Sequence, residues 1–346
     1  MHTSRSSFMT IRKLKIVKLK LALISNNHEL IFSPEYFEGL KHPAVIEGEG
    51  WYIRSMLANF KIEDFQSDLP MDGYFYIFDL SGISPTISID KEKVFAVGDW
   101  SKLEAEALDK RYSLLGNQGL LFRYILTLLE RKYGIYNLHA CALYNEASNN
   151  LILALGERGS GKSALLLALL NEGRFKLFAS EIVHIGLEDG KVKFYKGTLR
   201  NNVRVGHLLE DFPEIAENIG VKFGSLDDPW GTKIQLDFGM YGVEKDEIVD
   251  PKVTLILPRI EEYNKLSLAK EITDTRRIKR ALVENLSDKI NSLPLIYEKV
   301  PIGSLDDAHL LSNRVRFVDN LLKCWRLERA LSLFASPKNC LEGWLI

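Results

Sequence analysis

The sequence predicts a mixed α/β fold with a β-rich N-terminal domain, and three observations carry that prediction. Residues 10–110 are short apolar or alternating runs separated by turn pairs, the pattern of strands. Near Trp100 the spacing changes to the helical period. Close to the middle of the chain an apolar run, a glycine-rich octapeptide and a helix-forming run follow one another directly. The boundary falls near residue 110, so residues 10–110 form the first domain and 111–346 the second.

In the first domain, residues 13–24 and 74–78 read as strands, punctuated by Asn26-Asn27, Asp72-Gly73 and Ser81-Gly82. Residues 87–89 and 94–97 flank a turn and read as a hairpin. The basic residues Arg5, Arg12, Lys13, Lys15, Lys18 and Lys20 alternate with apolar ones, which reads as a solvated strand face rather than a targeting segment. Residues 101–112 and 117–132 carry helical spacing. Leu120, Leu121, Tyr124, Ile125, Leu128 and Leu129 share one face, and Gly134 suits a C-terminal cap. Next come two apolar runs, 138–144 and 151–155, around a polar turn, then a helix over 163–170 stopped by residues 171–173. Alternation recurs over 176–185 and 191–195, on either side of Asp189-Gly190. Residues 253–257 read as a strand ended by Pro258, 276–292 as a helix, and 314–334 as a longer helix packed on the second domain.

Composition limits the function classes. With 346 residues the chain exceeds the roughly 250–300 at which single cores stop growing, which supports two units. A net charge of −1 supplies no field to hold nucleic acid or an anionic membrane, so neither is expected as a partner. Three cysteines, Cys141, Cys324 and Cys340, are too few and scattered for a disulfide framework or zinc site; each reads as a small buried apolar residue. No apolar run approaches the ~20 residues of a membrane span and no signal peptide is visible, so a cytoplasmic location is expected.

The chemistry sits in Gly156-Glu157-Arg158-Gly159-Ser160-Gly161-Lys162-Ser163, a full match to G-x-x-x-x-G-K-[ST]. Glycines let the chain curl so that consecutive N–H groups surround phosphate oxygens. Lys162 supplies a point charge for the β- and γ-phosphates, the Ser163 hydroxyl reaches Mg²⁺, and the helix opening through Ala164 offers its positive end. A chain of this composition meets the pattern by chance roughly once in a hundred. The strand before it and the helix after it lower those odds. There is no Asn-Lys-x-Asp guanine signature, so ATP is the expected nucleotide.

The stretch from His139 to Val183 resembles the catalytic domain of HPr kinase/phosphorylase, in the phosphoenolpyruvate-carboxykinase-like group of P-loop kinases. The resemblance rests on Gly134, Leu138-His139-Ala140, the strand at 151–155, the loop, and Phe178-Ala179-Ser180-Glu181-Ile182-Val183, in that order. It covers about 50 residues and implies an α+β mixed-sheet P-loop kinase core of the HPr kinase type. Carried over by position, His139 lies beside the transferred phosphate, Lys162 and Ser163 hold phosphates and Mg²⁺, and Glu181 matches the second acid of the family's pair. Ser180 stands where the family has the first acid, its general base. A serine hydroxyl cannot accept a proton near neutral pH, so Glu181 takes over as base or metal ligand, or the chain is a nucleotide-binding relative without transferase activity. The family's Leu-Glu-x-Arg-Gly signature has only a weak echo at residues 197–200, and phosphorylase activity is not implied.

Phosphoryl transfer also draws on positive charge near the γ-phosphate. Arg158 lies in the loop, Arg200 and Arg204 follow the acidic strand, and Arg259 sits just past the strand at 253–257. Arg276, Arg277 and Arg280 fall on a helix and read as surface ion pairs. Trp230, Gly231 and Lys233 fall in a loop suited to acceptor contacts. Two functions follow. One is an ATP-dependent kinase acting on a hydroxyl, by resemblance a serine of a protein or peptide. The other is a non-catalytic nucleotide sensor, favoured by Ser180. Assembly into a homo-oligomer stays open.

Overall fold

A computed structural model of the chain describes residues 9–32, 45–46, 62–64, 70–223, 226–262, 266–291 and 295–345. Arg5, residue 292 and parts of the β-rich region (33–44, 47–61 and 65–69) lie outside the described residues. The chain divides into two compact units. The first holds described residues up to 32, 62–64, 70–134 and, returning late, 290–307; the second holds 45–46, 135–289 and 308–345.

In the first unit, β1 (Thr10–Ile16), β2 (Leu19–Ser25), β3 (Ile62–Asp64), β4 (Gly73–Asp79), β5 (Thr86–Ile89) and β6 (Lys93–Gly98) form one sheet in the order β3-β1-β2-β4-β6-β5. The pairs β2–β4 and β4–β6 are parallel, the others antiparallel. The strand expected over 13–24 is thus two strands, reversing at Val17, whose φ is 58°. A β-branched residue carries no turn signal, so the run looked continuous. The hairpin at β5–β6 is as expected. Among the described residues three helices belong here: α1 (His28–Phe32), α2 (Trp100–Glu106) and α3 (Leu120–Tyr133). The helix expected over 101–112 stops at Glu106; a single 3₁₀ turn, Lys110–Tyr112, follows. Gly134 caps α3 in the left-handed region at φ 60°, as expected. Residues 111–134 cluster with this unit because α3 lays its apolar face on the sheet, where Tyr124 lies 6.0 Å from Phe75 between ring centroids.

The second unit is built on a nine-stranded mixed sheet. Its strands are β7 (Tyr136–Asn145), β8 (Asn150–Leu155), β9 (Lys176–Ala179), β10 (Ile182–Glu188), β11 (Lys191–Tyr195), β14 (Glu247–Val249), β15 (Lys252–Ile260), β16 (Leu268–Glu271) and β17 (Arg326–Ala335). The order is β14-β11-β10-β7-β8-β15-β17-β16, with β9 also pairing with β7. A separate ribbon joins β12 (Arg200–Arg204) to β13 (Lys233–Asp237). Helices α4 (Lys162–Glu172) and α5 (Pro213–Ile219) contribute to the core on one side of the sheet, α6 (Thr275–Ser287) and α7 (Ala308–Cys324) to the core on the other. Strand β7 is buried along nearly its whole length, which is why it reads as a continuous apolar run instead of an alternating one. Along β7, Cys141 and Leu143 join the α4 side while Leu138, Ala140 and Ala142 join the α6–α7 side.

Three expectations are corrected here. Strand β15 does not stop at Pro258 but runs through it to Ile260. Ile260 donates its N–H to Ser160, on the β8 edge, so Pro258 faces that same edge; pairing with β8 ends at Ile256, so the missing N–H leaves no gap in the ladder. The helix expected over 314–334 ends at Cys324, and β17 follows, parallel to β15. Leu331, Leu333 and Ala335 of β17 fall on the α4 side of the core, a period of two hidden in a leucine-rich run. Cys324 is exposed at the end of α7, whereas Cys141 and Cys340 are buried as expected. Among the described residues no helix is long and apolar enough to cross a membrane.

Candidate functional site

The octapeptide forms the turn between β8 and α4. Gly156, Gly159 and Gly161 have φ of 149°, 87° and 94°, conformations that other residues adopt only at a cost of about 1–2 kcal/mol. At Gly161 a β-carbon would fall 2.4 Å from the β-carbon of Ile260. The tip of β15 is therefore packed against the loop, and Ile260 also donates to the Ser160 carbonyl at 3.1 Å. Helix α4 starts at Lys162 with Gly161 as its N-cap, so the unpaired N–H groups of its first turn face the loop's concave side. The Lys162 ammonium donates to the carbonyls of Gly156 at 2.5 Å and Glu157 at 3.0 Å, which holds the cation across the loop. Burial lowers its pKa, opposed by nearby Cys141 and Glu181.

Behind the loop, β9 and β10 both lie along β7, opposite residues 142–144 and 136–139 respectively. Ser180 and Glu181 form the break between them, so Glu181 is not within an apolar strand as its neighbours suggested. Its Oε1 accepts from the Lys289 ammonium at 2.7 Å, a pair whose side chains are 21% and 8% exposed. Burial would raise the Glu181 pKa, but Lys289, His139 and Lys162 outweigh it and hold the carboxyl at about 2. His139, on β7, is buried, with Nδ1 2.7 Å from Oδ2 of Asp288. Burial pushes its pKa below the ordinary imidazole range and so favours the neutral ring, against the hydrogen bond to Asp288 and with help from Lys289 and Lys162. The Asp288 carboxyl is held low chiefly by that same hydrogen bond. Lys162, His139, Glu181, Asp288 and Lys289 thus form one electrostatic cluster beside the loop.

The other candidates separate. The Ser180 hydroxyl is buried and directed at the carbonyls of Thr198 (3.0 Å) and Arg200, tying the break to the start of β12. Arg259 is 73% exposed, pairs with Glu261 at 2.7 Å and lies over the Phe334 ring. Arg158 is exposed on the loop. Arg200 pairs with Asp237, Arg276 with Asp274 and Arg280 with Glu284, while Arg204 donates to the Trp230 carbonyl and Arg277 to Ser332. His184 is fully buried with Nδ1 2.7 Å from Asn137, its pKa pushed down to about 4 by burial; it belongs to the core. Trp230 packs edge-on against His207 at 5.0 Å.

Sequence reasoning missed the end of α6. Asn285 accepts from the Gly156 N–H at 3.2 Å, Asp288 meets His139, and Lys289 meets Glu181. One helix end therefore touches the loop and both titratable candidates. Its residues look like an ordinary polar helix end, and only the spacing of three polar groups within five positions could have drawn attention to it.

Among the described residues no group of three or more His, Cys, Asp or Glu could hold a metal. Ser163 and Glu181, the donors expected from the sequence, both carry oxygen, the donor chemistry of Mg²⁺, which keeps several waters and binds through one or two protein oxygens plus substrate phosphates.

No protein-family model matches this chain, and no curated protein matches it. Among solved structures, the HPr(Ser) kinase/phosphatase from Coxiella burnetii is similar over 39% of this chain and 77% of its own, at 15% identity and a TM-score of 0.22. A likeness of that size carries no argument about activity.

Proposed function

We propose that this chain is an ATP-dependent kinase with a P-loop core of the HPr kinase type, passing the γ-phosphate to a hydroxyl on a protein or peptide, most simply a serine. The observation that carries the reading is the gathering of Lys162, His139 and Glu181 beside one glycine-rich loop, with Asn285, Asp288 and Lys289 at the end of α6 meeting the loop, His139 and Glu181 in turn. The loop amides and the first turn of α4 would hold the β- and γ-phosphates. Lys162 would leave the Gly156 and Glu157 carbonyls for the phosphate oxygens. Ser163 and Glu181 would hold Mg²⁺, which supplies neutralisation of the charge that develops on the phosphates. The acceptor's serine identity comes from the sequence resemblance, and under the kinase reading the β-rich domain, residues 10–110, would bind or orient that acceptor.

A second reading, a nucleotide sensor without transfer, is favoured by one observation. The Ser180 hydroxyl is spent on two backbone carbonyls, so the position that would carry a base donates instead. Incubation with γ-labelled ATP, Mg²⁺ and a panel of serine-containing peptides, followed by mass spectrometry and ADP measurement, separates the readings. A phosphoserine product with matching ADP supports the kinase. Tight nucleotide binding without ADP release supports the sensor, and no nucleotide binding removes both.

A further inference from the structure

We infer that Asp288 positions His139 as the proton acceptor of the transfer, the two forming a carboxylate–imidazole dyad contributed by the C-terminal cap of α6 and by β7. The inference rests on the kinase reading above and deepens it.

The geometry is that of an orienting pair. The 2.7 Å separation between Asp288 Oδ2 and His139 Nδ1 is a charge-assisted hydrogen bond. A carboxylate is acceptor-only, so the proton lies on Nδ1 and the lone pair on Nε2. A second carboxylate could have caused trouble by competing for the ring, but Glu181 is paired to Lys289 at 2.7 Å. The groups facing His139 are thus Asp288 as its hydrogen-bond partner, with Lys289, Lys162 and Glu181 around it. The side chains of His139 and Asp288 are 9% and 54% exposed. The imidazole is held in place by β7, while the carboxylate keeps enough water to stay ionised.

This arrangement answers the chemical gap at Ser180, since a base is needed and the hydroxyl there cannot be one. In the step, the acceptor oxygen forms a bond to the γ-phosphorus as the bond from that phosphorus to the β,γ-bridging oxygen breaks. The acceptor's hydroxyl proton passes to Nε2 of His139, and Asp288 stabilises the imidazolium so formed. The products are the phosphoester, ADP and a proton later released from His139 to solvent, so charge and atoms balance.

Asp288→Asn tests the inference because an amide can present either its oxygen or its NH₂ to Nδ1 and no longer selects one tautomer. With MgATP and a phosphorylatable peptide, kcat is expected to fall about 10- to 100-fold with the KM for MgATP unchanged. Asp288→Glu, which keeps an acceptor-only group, is expected to recover part of the loss. In protein labelled with ¹⁵N-histidine, with the His139 signal assigned among the chain's seven histidines by His139→Gln, the wild type is expected to show Nδ1 protonated and Nε2 bare. The Asp288→Asn protein should show a mixture. An unchanged kcat together with an unchanged tautomer would overturn the dyad. A wild type that binds MgATP yet never turns over would overturn the kinase reading and the proton transfer with it, while the tautomer spectra would still decide whether Asp288 orients His139.

Discussion

The candidate site has two walls that work by different means. Residues 156–163 offer backbone: N–H groups presented by glycines in left-handed conformations, with the Lys162 ammonium drawn across the curl to the Gly156 and Glu157 carbonyls. The end of α6 offers side chains, each sent to a different target: Asn285 to the Gly156 N–H, Asp288 to His139 and Lys289 to Glu181. A backbone wall must place glycines at fixed spacing or it cannot curl, so it writes itself into the sequence. A side-chain wall needs only that a helix end arrive in the right place, which tertiary packing decides. Breaking the two walls separately tells which contributes binding and which contributes chemistry.

The largest effect is expected from the first wall. Lys162→Ala should weaken MgATP binding or transfer by about 10²–10³-fold, read by calorimetry and by turnover. The ammonium also bridges the Gly156 and Glu157 carbonyls, so a melting curve belongs beside the calorimetry to separate a loosened loop from a lost phosphate contact. Unchanged affinity would mean that the loop is not a phosphate cradle.

The contrast also explains which parts of the molecule could be read in advance. The strand–loop–helix from β8 to α4, the strands flanking Asp189-Gly190 and the cap at Gly134 were legible because period and glycine placement decide them locally. The reversal at Val17 was not, since a β-branched residue in a tight turn is held by the pairing of β1 with β2 and not by its own preference. Nor was the switch from α7 to β17, where one leucine-rich stretch satisfies either period until the neighbouring β15 supplies an edge. Within the site, His139 and Glu181 entered through resemblance, and the structure gathers both. Asp288 and Lys289 lie more than a hundred residues from their partners, beyond any local signal.

Glu181→Gln probes the joint between the walls. The neutral amide removes the carboxylate charge 2.7 Å from the buried Lys289 ammonium, so the variant is expected to lose about 3 kcal/mol of stability at neutral pH and about 10²-fold in turnover. The sign of the pH dependence follows from the carboxyl being held at about 2, below its ordinary 4.5. The stabilisation is present in full above pH 4.5 and is lost as pH falls through about 2. Denaturation of both proteins across that range should show their stability difference shrinking on acidification. A difference that stays constant from pH 5 to pH 2 would mean that Glu181 and Lys289 are not coupled as their 2.7 Å separation implies.

The smallest expected effect is the one that asks whether the walls cooperate at all. Asn285 is fixed by donating its own NH₂ to the Ala281 carbonyl at 2.7 Å, which leaves its oxygen toward the Gly156 N–H. Asn285→Ala removes one neutral hydrogen bond, about 1 kcal/mol, so the Kd for MgATP should rise about fivefold with the fold intact. Asn285→Asp keeps an acceptor but brings a negative charge to the glycine-rich loop, and if that loop holds phosphates it should weaken binding more than Ala does, increasingly so at low salt. If α6 merely stands near the loop, both variants will bind MgATP like the wild type at every ionic strength. If it braces the loop, the order of affinities will be wild type, Ala, Asp, because only then does the charge on that helix end reach the phosphates.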